Sequence, residues 1–150
     1  MSSTYSQIYI HVVFSVRNKR HSINKSWKDE LYKYITGIVK SKEQKLIVIN
    51  GVADHVHLLV GMKPNCNLSD LIREVKANSS KWINKSNYMS DKFFWQEGFG
   101  AFSLGHSQLP IIINYINNQE EHHKKKTFRK EYVQFLKAYN VDYIDKYIPE

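Results

Sequence analysis

A chain of 150 residues with 42% hydrophobic and 13% aromatic content can bury the core of one ordinary domain but not of two. Its single cysteine, Cys66, excludes an internal disulfide and a cysteine-rich zinc module, and 22 Lys and Arg against 14 Asp and Glu, net +8 with a pI near 9.5, favour a polyanionic partner. A basic surface also serves solubility, so charge alone does not settle the partner.

The N-terminus enters a strand-like pattern directly, without the succession of a signal peptide, and no apolar run is long enough to cross a bilayer. The expectation is a cytoplasmic protein with no membrane partner. Over residues 5–16, Ile8, Ile10, Val12, Phe14 and Val16 fall on one face and Tyr9, His11 and Ser15 on the other, the period of a strand. A basic turn follows over Arg17 to Ser22. Ser26 then serves as an N-cap with Asp29 three residues on, and Leu31, Ile35, Ile38 and Val39 recur at helical spacing to about Lys42.

KLIVINGV (45–52) and HVHLLVGM (55–62), joined by Ala53-Asp54, read as a hairpin that Pro64 closes. From Asn67 to about Asn84, Leu68, Leu71, Ile72, Val75, Trp82 and Ile83 predict a second helix. The aromatic run FFWQEGFGAFSL (93–104) predicts a last strand followed by a mobile turn at its glycines. The order βαββαβ is that of an α+β, ferredoxin-like antiparallel sheet with both helices on one face. Pro110 suits the first turn of a third helix over about 110–123, free to cover the open face, and a fourth runs over about 127–140 through Phe128, Tyr132, Phe135 and Leu136.

Strand alternation turns His55 and His57 to one face and Val56, Leu58 and Val60 to the other. The aliphatic set belongs under the first two helices, so the imidazoles look onto the open face, where His11 and Tyr9 also lie. His11 reads as a core histidine, with a supporting role behind the pair as the other reading. Two imidazoles two residues apart on a strand can share one metal ion. A bare pair of this kind is more often a hydrogen-bonded half-buried strand, so a third ligand decides.

On the third helix Tyr115 and Gln119 are four residues apart, about 40° around the axis, and project side by side. Ile112 and Ile116 border the same sector, which turns it inward. Two imidazoles and a carboxamide oxygen leave positions open for water and phosphate oxygens, a set suited to magnesium or manganese. A phenol beside such an ion is able to attack a phosphodiester and keep the strand joined to the protein. Against this, a helical tyrosine among isoleucines is ordinarily filler; His122, three residues beyond Gln119, is a rival third ligand.

These residues resemble the small single-tyrosine HUH transposases of the insertion sequence 200/605 group. The likeness extends from TYSQIYIHVVFSVRNKR through NGVADHVHLLVGMKP, LSDLIREVKANSSKWIN and FFWQEGFGAFSLGHSQ to YINNQEEHHKKKTF. It implies a metal site of His55, His57 and Gln119, with Tyr115 as nucleophile. It further implies cleavage and rejoining of single-stranded DNA at hairpin-marked element ends through a 5′-phosphotyrosine, and a homodimer. No motif position departs from the pattern.

Phosphate contacts are expected from Arg17, Lys19 and Arg20 after the first strand, Arg73 and Lys76 on the second helix, and Lys124, Lys125, Lys126, Arg129 and Lys130 after the tyrosine stripe. Trp82, Phe94 and Trp95 read as core. The alternative function is a non-catalytic ferredoxin-like nucleic-acid-binding protein, which would place exposed aromatics where this sheet carries histidines.

Overall fold

The computed structural model describes residues 3–17 and 22–149. Four strands, β1 (Tyr9–Ser15), β2 (Lys45–Val52), β3 (His55–Gly61) and β4 (Gly100–Leu104), form one antiparallel sheet in the order β2-β3-β1-β4. With α1 (Lys28–Ser41) and α2 (Leu68–Lys85) between them, the βαββαβ order expected from the sequence is the observed one.

Beneath α1 and α2 lies an apolar core. Val12 and Phe14 of β1 and Val56, Leu58 and Val60 of β3 meet Leu31, Ile35 and Val39 of α1 and Leu71, Ile72 and Val75 of α2. These side chains come from period-two and helical stripes of the sequence, and their burial is the main source of stability.

Two boundaries differ from expectation. The first helix starts at Lys28 after Trp27, which makes no side-chain cap; instead the Ser26 amide donates to Asn24 Oδ1 at 2.8 Å. This local turn sends the Trp27 side chain into the core, where it stacks on Tyr88 at 5.1 Å. The last strand follows Gly98 and begins at Gly100, rather than preceding the two glycines. Phe93 and Trp95 are buried, yet their segment makes only an isolated bridge between Val16 and Trp95.

That segment is held by α2 instead. Asn84 pairs with Phe93 through both main-chain groups, at 2.7 and 3.1 Å. Trp95 Nε1 donates to Ser79 Oγ at 2.9 Å, and Lys76 Nζ donates to the carbonyls of Gln96, at 2.7 Å, and Gly98.

The opposite face carries α3 (Leu109–Asn117), α4 (Gln119–His123) and α5 (Phe128–Ala138). The helix expected over 110–123 is interrupted at Asn118, with φ −104° and ψ 27°, whose side chain bonds back to the Asn114 carbonyl at 2.8 Å. Asn50 on β2 donates to the Ile116 carbonyl at 2.9 Å, fixing the end of α3 over the sheet. Ile116 packs with Leu59 and Leu104.

Thr127 caps α5 by accepting from the Lys130 amide at 3.2 Å. The apolar stripe Phe128, Tyr132 and Leu136 meets Val13 and Phe102. A side chain at Gly100 would bring its Cβ to 3.0 Å from the Tyr132 hydroxyl and 3.1 Å from Val13 Cγ1, so the glycine is what allows α5 to lie so close to β4.

Candidate active site

The sheet register places His57 opposite Val13, His55 opposite Ser15 and His11 opposite Leu59. All three imidazoles therefore leave the sheet toward α3–α5, and all three are buried. The structure brings Tyr115 and Gln119 to the same place. Gln119 is buried with Oε1 3.1 Å from His55 Nε2, and the Tyr115 ring stands edge-on to His57 with centroids 6.0 Å apart.

Two further residues join them: His123 from α4 and Glu131 from α5. Glu131 Oε1 lies 3.3 Å from His55 Nε2, 3.0 Å from His57 Nε2 and 3.1 Å from His123 Nε2. Its other oxygen accepts hydrogen bonds from the Tyr115 hydroxyl and, at 3.3 Å, from Gln119 Nε2.

Sequence reasoning missed both. The signal for Glu131 was an acid inside the apolar stripe of α5, only 1% exposed in the fold, where an unpaired carboxylate is costly. For His123 it was the four-residue spacing from Gln119. His122 is not a ligand in this geometry: its ring stacks on Tyr115 at 4.4 Å. His11 is buried as a core histidine is, and its Nε2 also lies 2.8 Å from His57 Nδ1, the supporting position behind the pair.

Burial drives the His57 imidazole down to about 4, against the opposing pull of Glu131. Burial and the neighbouring His57 take His11 to about 3. At His55, burial acts downward, but hydrogen bonds to Asp54 and Glu131 outweigh it and raise the pKa. Burial opposes ionisation of Glu131, yet hydrogen bonds from His123, His55 and His57 hold its carboxyl far below the usual range. The Tyr115 phenol is pushed up by burial and by the hydrogen bond and charge of Glu131, so it rests protonated.

The donor set fits a divalent metal. His55 Nδ1 donates to Asp54 Oδ1 at 2.7 Å, and His57 Nδ1 shares a hydrogen bond with His11 Nε2 at 2.8 Å, the tautomer setting which of the two donates. In the tautomer with both Nδ1 atoms protonated, each Nε2 presents its lone pair inward, the arrangement that orients metal-binding histidines. Gln119 adds a carboxamide, and His55, His57, His123 and Glu131 present ligand atoms all within 4.8 Å of one another.

A cleft of about 530 Å³ opens beside His123 and Asp54, with Lys25, Lys28, Lys124 and Lys126 along it. Lys124 pairs with Glu121 at 2.9 Å, and Lys126 bonds Gln134; Lys125 is exposed. Arg17 lies over the Phe94 ring at 5.1 Å, and that ring is exposed, contrary to the expectation of burial. Arg73 pairs with Asp70 at 3.0 Å. Lys76 is half-buried against its two carbonyls and, with burial lowering it to about 8, is committed to the fold. Lys19 and Arg20 lie outside the described residues. Among the described residues no helix is long and apolar enough to cross a membrane.

The site thus sets the paired strand histidines of a ferredoxin-like sheet against the helix that carries Tyr115. Residues 4–119 match the family described as transposase IS200 like, and the chain belongs to that family of DNA transposases. The fold is shared with a candidate transposase from Deinococcus radiodurans, at 17% identity and TM-score 0.65 over 79% of this chain and 95% of that one. It is also shared with a REP-associated tyrosine transposase bound to a REP hairpin, at 15% identity and TM-score 0.62 over 82% of this chain and 74% of the other. Comparison with curated proteins gives no match.

Proposed function

We propose that this transposase cleaves and rejoins single-stranded DNA through Tyr115, with a divalent ion, magnesium or manganese, held by His55, His57 and Gln119. The observation that carries the reading is the convergence of one phenol with two imidazoles and a carboxamide in a buried polar cluster of a single chain. The ion, when bound, supplies Lewis-acid charge to a scissile phosphodiester.

The chain's own residues do the rest. Asp54 and His11 orient the two imidazoles. Glu131 accepts the Tyr115 hydrogen bond and holds the phenol neutral until positive charge at the cluster offsets the carboxylate. The tyrosine oxygen then forms a bond to phosphorus as the bond from phosphorus to the 3′ oxygen breaks, leaving a 5′-phosphotyrosine and a free 3′-OH. Attack by another 3′-OH reverses the step and reseals DNA without ATP.

The hairpin named with the REP-associated relative supports imperfect palindromes at element ends as the substrate. Arg17, Arg73, Lys124, Lys125 and Lys126 provide phosphate contacts, Lys124 and Lys126 along the cleft beside His123. The working form is a cytoplasmic homodimer. A non-catalytic nucleic-acid-binding role leaves the half-buried Tyr115 and the buried polar cluster beside it without a purpose.

Purified protein with manganese or magnesium and a labelled single-stranded hairpin end should give a denaturation-resistant protein–DNA adduct. Tyr115→Phe should remove the adduct and keep hairpin binding. An undiminished adduct from that variant sinks the assignment.

A further inference from the structure

The proposed reaction uses Tyr115, His55, His57 and Gln119, and leaves His123 and the metal-facing oxygen of Glu131 without a task. Their geometry is specific. One carboxylate oxygen stands 3.0, 3.1 and 3.3 Å from three imidazole Nε2 atoms. A tetrahedral zinc ion about 2.1 Å from each donor separates its ligand atoms by about 3.4 Å. The spacing between Glu131 and each imidazole is close to that of such a shell, and the four donors, within 4.8 Å of one another, would draw inward around the ion. The outer nitrogens of His55 and His57 lie against Asp54 and His11, and in the tautomer that protonates those nitrogens the inner Nε2 lone pairs take a cation in place of their hydrogen bonds to Glu131.

We propose that His123 and Glu131 close the imidazole pair into a four-donor transition-metal centre, His55–His57–His123–Glu131, in the DNA-free protein. Three imidazoles and one carboxylate favour zinc over the oxygen-seeking magnesium. A complete four-donor shell has no vacant position for a phosphodiester. As the resting form of the site this inference rests on the transposase reading, and Glu131 must then leave the ion before DNA can enter. Glu131 also holds the Tyr115 hydroxyl through its other oxygen, so the group that closes the centre is the one that restrains the nucleophile.

Metal-free full-length protein titrated with Co(II), followed by visible absorption, tests this. The wild type should develop the intense bands of tetrahedral cobalt, and Zn(II) should abolish them by displacement. Glu131→Gln and His123→Ala should each weaken Co(II) binding at least about tenfold and leave only the faint bands of a six-coordinate ion. Circular dichroism checks that each variant is folded; should Glu131→Gln not fold, the half-buried His123 decides by itself. Wild-type affinity and bands in folded His123→Ala overturn the proposal. So does loss of the bands in Gln119→Ala when Glu131→Gln retains them. Adduct formation is scored separately: a metal-dependent adduct from a protein without tetrahedral bands sinks the closed centre and spares the transposase reading, and bands without any adduct do the reverse.

Discussion

The two faces of the sheet are buried to similar depth but by different chemistry. Under α1 and α2 every inward side chain of β3 is aliphatic, Val56, Leu58 and Val60. Under α3–α5 the same strand presents His55, His57 and Leu59, and a carboxylate and a carboxamide descend to meet the imidazoles. One strand therefore serves as core on one side and as chemistry on the other, which strand alternation permits without any loop. The aliphatic face gives the rigidity on which the polar face depends, because buried polar groups hold their geometry only when the surrounding packing fixes it.

Variants that touch one face only should separate these roles. The largest effect belongs to the polar face: Tyr115→Phe should lower adduct formation by more than about 10⁴-fold, as for removal of other enzymatic nucleophiles, with Tm nearly unchanged in thermal melts. Next comes the aliphatic face. Leu31→Ala, at a fully buried position, should cost about 2–5 kcal/mol in chemical denaturation while leaving Co(II) affinity unaltered; a coupled loss of metal would show that the faces are not independent.

The polar face alone should make stability sensitive to acid. His57 and His11 are held neutral, at about 4 and about 3, against a usual 6.5. The unfolded chain binds their protons first, so stability present above pH 6.5 is lost as pH falls toward 4. His55 acts in the other window: its raised value gives stability present below 6.5 and lost as pH rises through its folded pKa. Metal-free protein should therefore melt lower at pH 4.5 than at pH 6.5, and His11→Phe should blunt that slope; equal slopes contradict the assignment. Smallest is Gly100→Ala, where crowding against Tyr132 and Val13 should cost about 1–3 kcal/mol, measured as a lower Tm.

How much of this was legible in the sequence follows from which interactions repeat. The alternation around Val12 and Phe14 and the stripe of Leu31, Ile35 and Val39 are periodic, and they fixed the sheet and its first layer. The paired histidines, Tyr115 and Gln119 were visible because their spacing is local to one strand or nearly one helix. Glu131 was not, since its partners lie 74 and 76 positions away on β3, and no period connects α5 to that strand. The aromatic run before Gly98 misled for the opposite reason: Phe93 and Trp95 are as apolar as strand residues and as deeply buried, but their segment meets the sheet at one isolated bridge and is otherwise held by side chains of α2.

Those side chains have a further consequence. Lys76, Ser79 and Asn84 form rungs down one flank of α2 that grip Gln96 and Gly98, Trp95, and Phe93 in turn. The irregular stretch before β4 is thus tethered at Phe93, Trp95, Gln96 and Gly98, and it delivers the edge strand to β1 at a fixed height. Lengthening it by even one residue would misalign successive grips, so this connection should resist the insertions that ordinary surface loops accept.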